Sequence, residues 1–359
     1  MSRVLVLSVV HQADDPRLRL RTVGVLAERF AVRYATRPPG PVDRGDHQWV
    51  ILRGRRPGRH LRAAREAWRS DVGLLSVHDP ELIPLGLAIH LLRRIPVVLD
   101  VHEDVPSQLR TKPWLPAVLR MPLALLSGAV LRVAERHLAI TLAEPGYAHL
   151  FRHEHAVLPN YPLVDQLPEP APASDDIVYV GDVTEARGAT FAVEVVARMA
   201  MPHRLRLIGR CAPALRTRLK ARASDLGVEL DLPGFLTHKQ AMQAVAVAAV
   251  GLCPLEDQPN YRHSLPTKVL EYLALGVPVA ASDLPGTAEL VAGRPGVELL
   301  PPRDRDAWAH ALDKMVDEPH WREEAVAASD DVRKQFTWPT DRLLETYVDL
   351  WDRPHAAQR

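Results

Sequence analysis

Cysteine is scarce in this sequence. Two residues, Cys211 and Cys253, cannot build a disulfide framework, and they fit a reducing compartment. A long apolar run is also missing: no stretch reaches the ~18 uninterrupted residues of a spanning helix. The opening SRVLVLSVV is short and soon followed by polar residues, so no signal peptide is expected. Neither sign of charge dominates, with 45 basic against 44 acidic residues, which excludes a global nucleic-acid footprint. Glycine is absent from HQADDPRLRLR, the turn after the first apolar strand. A dinucleotide-binding oxidoreductase needs a Gly-rich turn there, so nicotinamide chemistry is excluded. No run of His, Cys and acids has metal-ligand spacing. The expectation is a cytoplasmic protein with no bound metal and no cofactor.

What is present is an α/β chain of 359 residues with 47% apolar residues, too long for one ordinary core. Strand-like apolar runs alternate with helical patterns, which predicts parallel sheets joined by right-handed crossovers. The organising stretch is Asn260–Ala292, NYRHSLPTKVLEYLALGVPVAASDLPGTAELVA. Ser264–Thr267 reads as a helix start with Pro266 in the first turn. Val269, Leu270, Leu273 and Ala274 follow at helical spacing, and Gly276 ends the helix. Val277–Ala281 reads as a buried parallel strand, Ser282–Gly286 as the turn at its carboxyl end, and Thr287 opens another helix. Two helix N-termini flanking a strand end favour an anion. Lys268 adds a cation and Glu271 a carboxylate one turn later, suited to a phosphate and a ribose diol. The competing reading is an ordinary helix–strand–helix unit with solvated charges.

The stretch resembles the donor-nucleotide motif of the retaining glycosyltransferases of family 4, which have the GT-B fold of two facing Rossmann-like domains. Glu271 matches the glutamate that holds the ribose hydroxyls in that family, and Gly276, Pro278, Gly286 and Glu289 match the rest. The family's first glutamate falls eight residues before Glu271, where this chain has His263. The resemblance implies a nucleoside-diphosphate sugar as co-substrate.

Upstream, Arg3–Val10 reads as the first strand and Ala31–Ala35 as the second, with residues 37–60 as loop. Asp15-Pro16-Arg17, followed by a helix to Phe30, resembles a loop that faces the acceptor in the family; a plain strand-to-helix turn is the alternative. The helix from Arg59 carries Arg62, Arg65 and Arg69, with Trp68 beside them. That face could meet anionic lipid head groups, although a solvated arginine face is the preferred reading. Val72–Val77 delivers His78, Asp79 and Glu81 to a strand's carboxyl end, where α/β sites form. Ile95–Val101 delivers Asp100, His102, Glu103 and Asp104. The phrase VVLDVHED resembles the family's strand-end histidine, so the resemblance implies that His102 approaches the transferred sugar. The alternative is a histidine that only fixes the loop. Pro113–Leu138 is apolar and helical but broken by Arg120, Pro122 and Arg132; it reads as a packing helix pair or a surface that touches membrane, with packing as the default. His137–Thr141 reads as the last strand of this domain and Glu144–Phe151 as a helix.

The prolines and acids of residues 158–176 mark a linker, and Pro159-Asn160 resembles the family's hinge. The expected domains are 1–165 for the acceptor, 166–335 for the donor, and a C-terminal helix in 336–359 that returns to the first domain, with a loose tail after Asp352. In the second domain Ile177–Val180 leads into GDVTEARGAT. Gly181 and Gly188 match the family's pyrophosphate loop, Arg187 takes the place of its lysine, and Asp182 stands where its arginine is usual. By the same resemblance, Phe235 and Leu236 are candidates to meet the nucleobase.

The implied reaction is transfer of a sugar from a nucleoside-diphosphate sugar to an acceptor hydroxyl with retained configuration. The acceptor class stays open between a small molecule, a glycan and a lipid-linked compound. The expected donor residues are Gly181, Arg187, Phe235, Leu236, Lys268, Glu271, Gly286 and Thr287. Sugar and acceptor contacts fall to Asp15, Arg17, His102 and His263, and catalytic roles to His102, Arg187 and Lys268. A nucleotide-sugar 2-epimerase of the same fold and an inactive nucleotide-sugar-binding subunit are the alternatives.

Overall fold

The computed structural model describes residues 3–38, 48–111, 115–258, 261–262 and 264–356. The expectation placed on His263 therefore lies outside the described residues. Two compact units divide the chain: Met1–Asn160 with Trp338–Arg359, and Tyr161–Thr337.

Unit 1 is built on a parallel sheet of seven strands: β1 (Arg3–Gln12), β2 (Val32–Arg37), β3 (Gln48–Ile51), β4 (Val72–Val77), β5 (Val97–Val101), β6 (Ala139–Leu142) and β7 (Ala156–Val157). Their order is β3-β2-β1-β4-β5-β6-β7. The chain runs outward from β1 to β3 and then crosses back to β4. This reversal makes the β1/β4 carboxyl ends the natural place for a site. The strands are nearly unbroken apolar runs, as expected for a sheet covered on both faces. Leu5, Leu7, Leu75, Val77 and Leu99 pack with Ala63 and Ala67 of helix Arg56–Ala67, Ile83 and Ile89 of helix Ile83–Arg93, and Leu131 and Ala134 of helix Ala117–His137. These three helices therefore cover one face of the sheet.

Unit 2 has six parallel strands: β8 (Ile177–Val180), β9 (Arg204–Ile208), β10 (Glu229–Gly234), β11 (Val250–Cys253), β12 (Val279–Ser282) and β13 (Val297–Leu300), in the order β10-β9-β8-β11-β12-β13. The reversal falls between β8 and β11, so the loop after β8 stands at the switch point.

Several local expectations need correction. Residues 37–60 contain strand β3 and the start of helix Arg56–Ala67 as well as loop. The expected helix to Phe30 opens as a wide π-helical segment, Arg17–Gly24. Glu144–Phe151 contains a tight 3-10 turn at Pro145–Leu150 instead of an α-helix. The final helix, Thr340–Ala356, runs past Asp352, so the tail is not loose from that point. Helix Ala117–His137 is long and apolar, yet Val118, Leu119, Met121, Leu125, Leu126 and Val133 are exposed, so packing does not account for most of its surface.

Candidate active site

In unit 2 two cations meet at one glycine of the loop after β8, Arg187 from that loop and Lys268 from a helix. Gly181 has φ +132°, a conformation that side chains disfavour. A Cβ on Gly181 would stand 3.4 Å from Arg187 Nη1 and 3.4 Å from Lys268 Nζ. Bare glycine thus leaves a small concavity between two positive groups and the Tyr179 hydroxyl, which a Cβ would meet at 3.3 Å. Arg187 ends a short turn, Glu185–Arg187, and Gly188 follows at φ +78°. Only glycine fits at position 188, because a Cβ would lie 2.2 Å from the Pro254 carbonyl oxygen. Arg187 is further held by a hydrogen bond to the Tyr261 side chain.

Lys268 enters from the helix Thr267–Ala274, whose register is set by Tyr272. The buried Tyr272 hydroxyl accepts the Val180 amide at 2.8 Å, which ties this helix to the residue just before Gly181. The Lys268 Nζ is buried with no hydrogen-bond partner among the described residues. It lies 3.9 Å from the centre of the Tyr179 ring, a cation–π contact. A buried amine nitrogen left without a hydrogen-bond acceptor is costly. An anion in the concavity would satisfy it. Thr287 Oγ1 is likewise buried without a hydrogen-bond partner among the described residues.

The expectation of paired helix mouths needs correction. The second helix, Pro285–Val291, is under two turns long and begins with Pro285. Its Gly286 amide already donates to the Arg262 carbonyl at 2.7 Å. The Gly286 amide is therefore already taken, whereas the Thr287 hydroxyl has no hydrogen-bond partner among the described residues. Glu271 is buried one turn after Lys268, with His238 Nε2 at 3.5 Å from its Oε1. Phe235 and Leu236 follow Gly234 at the end of β10, and the Arg210 guanidinium lies over the Phe235 ring at 4.1 Å. Sequence reasoning missed Tyr179, Tyr261, His238 and Arg210. Of these, only Tyr179 carried a local signal, two residues before the loop glycine.

In unit 1 the strand ends bring His78, Asp100 and His102 together. Asp100 accepts from Arg17 at 2.9 Å (Nε) and 2.8 Å (Nη2), from Thr141 Oγ1 at 2.8 Å, and from His102 Nε2 at 2.6 Å. Burial pushes its carboxyl up. The Arg17 guanidinium, His102 and the histidine hydrogen bonds outweigh this and hold it well below the usual carboxylate range. The His102 value is lowered too, to about 4, chiefly through burial and with help from Arg17 and His78 against the pull of Asp100. It is therefore a neutral ring at pH 7. The 2.6 Å contact assigns its proton to Nε2, facing Asp100, which leaves Nδ1 as an acceptor. The two histidines and the carboxylate have the spacing of a metal site. Arg17, however, sits against both carboxylate oxygens and 3.0 Å from His102 Nε2, so its guanidinium supplies the positive charge there.

Arg17 itself is buried and also donates to the Leu158 carbonyl and Asn160 Oδ1 at 2.8 Å each. It was expected to face an acceptor; its donors are instead turned inward. Asp15 shapes the same turn by accepting the Arg17 amide at 3.0 Å. Asp79 accepts the Val9 amide at 2.6 Å and closes the end of β1. Beside this cluster lies a pocket of about 130 Å³, lined among others by Val10, His11, Asp79, His102, Glu103 and Leu131. Glu81 forms its rim with Arg56 and His60 as ion partners. A further relay was not legible in sequence: the Tyr347 hydroxyl of the last helix meets Ser76 Oγ at 2.6 Å, and Ser76 Oγ meets His78 Nε2 at 2.9 Å.

Residues 174–318 match the sequence profile of the family described as glycosyl transferases group 1. The matched residues lie wholly within unit 2. Among curated relatives, a D-inositol 3-phosphate glycosyltransferase of Stackebrandtia nassauensis is 28% identical over 190 residues. That match covers 50% of this chain and 43% of the relative, so it spans under half of the relative's length. Among solved structures, sucrose-phosphate synthase of Thermosynechococcus elongatus superposes with a TM-score of 0.74 at 17% identity, covering 99% of this chain and 100% of that one. Anabaena HepE, solved with UDP-glucose, gives 0.72 at 13% identity over 96% and 99%. At such identities the likeness concerns the fold alone, and the fold is GT-B.

Proposed function

We propose that this chain is a retaining, metal-independent glycosyltransferase that moves a sugar from a nucleoside-diphosphate sugar to an acceptor hydroxyl. The observation that carries the reading is the convergence on Gly181 of Arg187 and of Lys268, whose amine has no hydrogen-bond partner among the described residues, within the stretch that matches the glycosyl transferases group 1 profile. The donor diphosphate lies in that concavity. Arg187, Lys268 and the Thr287 hydroxyl stabilise the negative charge that builds on it as it leaves. Glu271 accepts the ribose hydroxyls, and Phe235 and Leu236 border the base. HepE was solved with UDP-glucose, and we take a uridine diphosphate sugar as the first donor to test.

Unit 1 holds the acceptor in the pocket beside His102. The acceptor oxygen bonds to the anomeric carbon on the face from which the diphosphate departs. The sugar–phosphate C–O bond breaks, and the acceptor proton passes to a diphosphate oxygen. No protein base is required. Neutral His102, oriented by Asp100, hydrogen-bonds the sugar without adding charge. The active chain works in the cytoplasm. The test is release of UDP from UDP-glucose and other UDP-hexoses in EDTA, with and without polyol, glycan and lipid-linked acceptors. Acceptor-stimulated release that Arg187→Ala reduces by a factor of ten or more supports the reading. Binding of every donor without turnover under any acceptor overturns it.

A further inference from the structure

Most of the large apolar side chains that unit 1 leaves exposed lie on the three helices covering one face of its sheet. Helix Arg56–Ala67 and the residue that ends it expose Leu61 and Trp68, and helix Ile83–Arg93 exposes Leu91 and Leu92. Helix Ala117–His137 exposes Val118 (81%), Leu125 (63%) and Leu126 (59%), with Leu119, Met121 and Val133. By length and composition this last helix could cross a membrane, yet only 17% of its apolar window is buried. It does not span, because Ala124, Leu131 and Ala134 are packed into the unit, and Arg120, Pro122 and Arg132 interrupt its apolar surface.

Its position can be read from two contacts. Leu131 lines the same pocket as Ile83, the first residue of its neighbour helix. His137 lies 6.5 Å, ring to ring, from His90 near that neighbour's end. The two helices therefore run in the same direction. The half before Leu131 continues past the carboxyl end of the sheet, beside the pocket. Val118, Leu119, Met121, Leu125 and Leu126 all belong to this overhanging half. Around the apolar side chains the charge is mostly basic: Arg62, Arg65, Arg69, Arg94, Arg132 and Arg136 are exposed on the same helices or at their ends. The Glu135 carboxylate is turned to the His153 and Arg152 amides and to His155.

We propose that this helix layer docks unit 1 on an anionic lipid bilayer, with the overhanging half of Ala117–His137 lying in the interface and the pocket opening beside the acyl-chain boundary. An apolar face bordered by arginines fits that boundary, where side chains enter the lipid while guanidinium groups stay with the head groups. The inference deepens the glycosyltransferase reading by giving the acceptor a lipid anchor, but lipid binding itself does not depend on that reading.

The test uses the full chain without nucleotide, co-floated with vesicles of pure phosphatidylcholine or with about one-third phosphatidylglycerol. Binding to the anionic vesicles is expected, weakened by high salt. The double variant Leu125→Asp/Leu126→Asp should bind at least tenfold less, while circular dichroism and melting temperature stay those of the wild type. Should that variant fail to fold, Val118→Asp, at the exposed start of the helix, replaces it. No binding to anionic vesicles, or variants that bind as the wild type does, overturns the proposal. So does a self-associated wild type that Leu125→Asp/Leu126→Asp makes monomeric, because the face would then belong to a second copy. Vesicle binding without sugar transfer would sink the function and leave the docking intact.

Discussion

Arg17 and Asp100, 83 residues apart in sequence, form a buried two-pronged ion pair at the β5 strand end, with 2.8 and 2.9 Å contacts. The pair neutralises a carboxylate that would otherwise stand alone among histidines. Removing one partner of such a pair typically costs about 3–5 kcal/mol, because the other charge stays buried. Arg17→Ala should lower unfolding free energy in urea by that order, and Arg17→Lys should restore only part of it, lacking the planar fork. An Arg17→Ala variant as stable as the wild type would remove the pair from the account.

The His102 ring gives a pH signature. Its folded value of about 4 lies below the ordinary 6.5, so the unfolded chain binds more protons between these values. Stability linked to this group is therefore fully present above pH 6.5 and is lost as pH falls from 6.5 toward 4. The loss is on the order of 3 kcal/mol. Ring resonances of His102 in NMR titration should still be those of a neutral imidazole at pH 6, and His102→Gln should flatten the stability profile in that window.

Gly181→Ala is expected to harm both fold and site. A non-glycine residue at φ +132° costs about 1–3 kcal/mol, and its methyl group would fill the space between Arg187 and Lys268. Urea denaturation should show the stability loss, and calorimetry a weaker nucleotide affinity.

Glu271→Ala should weaken nucleoside diphosphate binding by about tenfold, the equivalent of ~1.5 kcal/mol, and should affect inorganic pyrophosphate little. Titration calorimetry with both ligands separates the two effects.

Much of the fold was legible because buried parallel strands are continuous apolar runs. Val72–Val77, Ile177–Val180 and Arg204–Ile208 read from sequence with the bounds they have in the structure. The strands missed, β3, β7 and β13, lie toward or at sheet edges, where short partly exposed segments such as Gln48–Ile51 give little signal. The residues around Gly181 and Lys268 could be named from a local motif. That Lys268 lacks a hydrogen-bond partner among the described residues could not, since it depends on every neighbour brought by the fold. Arg17 was misplaced for the same reason: nothing near it in sequence announces a carboxylate 83 residues away. For helix Ala117–His137 packing was the default over a membrane-touching surface, because apolar composition alone cannot distinguish a helix covered by protein from one left uncovered.

The most direct measurement of the central claim is calorimetric titration of UDP into wild-type protein and Lys268→Met, both in EDTA. The wild type should bind without any divalent ion. The variant should lose at least tenfold in affinity, yet melt no lower than the wild type, because it no longer buries an unsatisfied amine. Binding that needs a divalent cation, or equal affinity in the two proteins, would contradict the account.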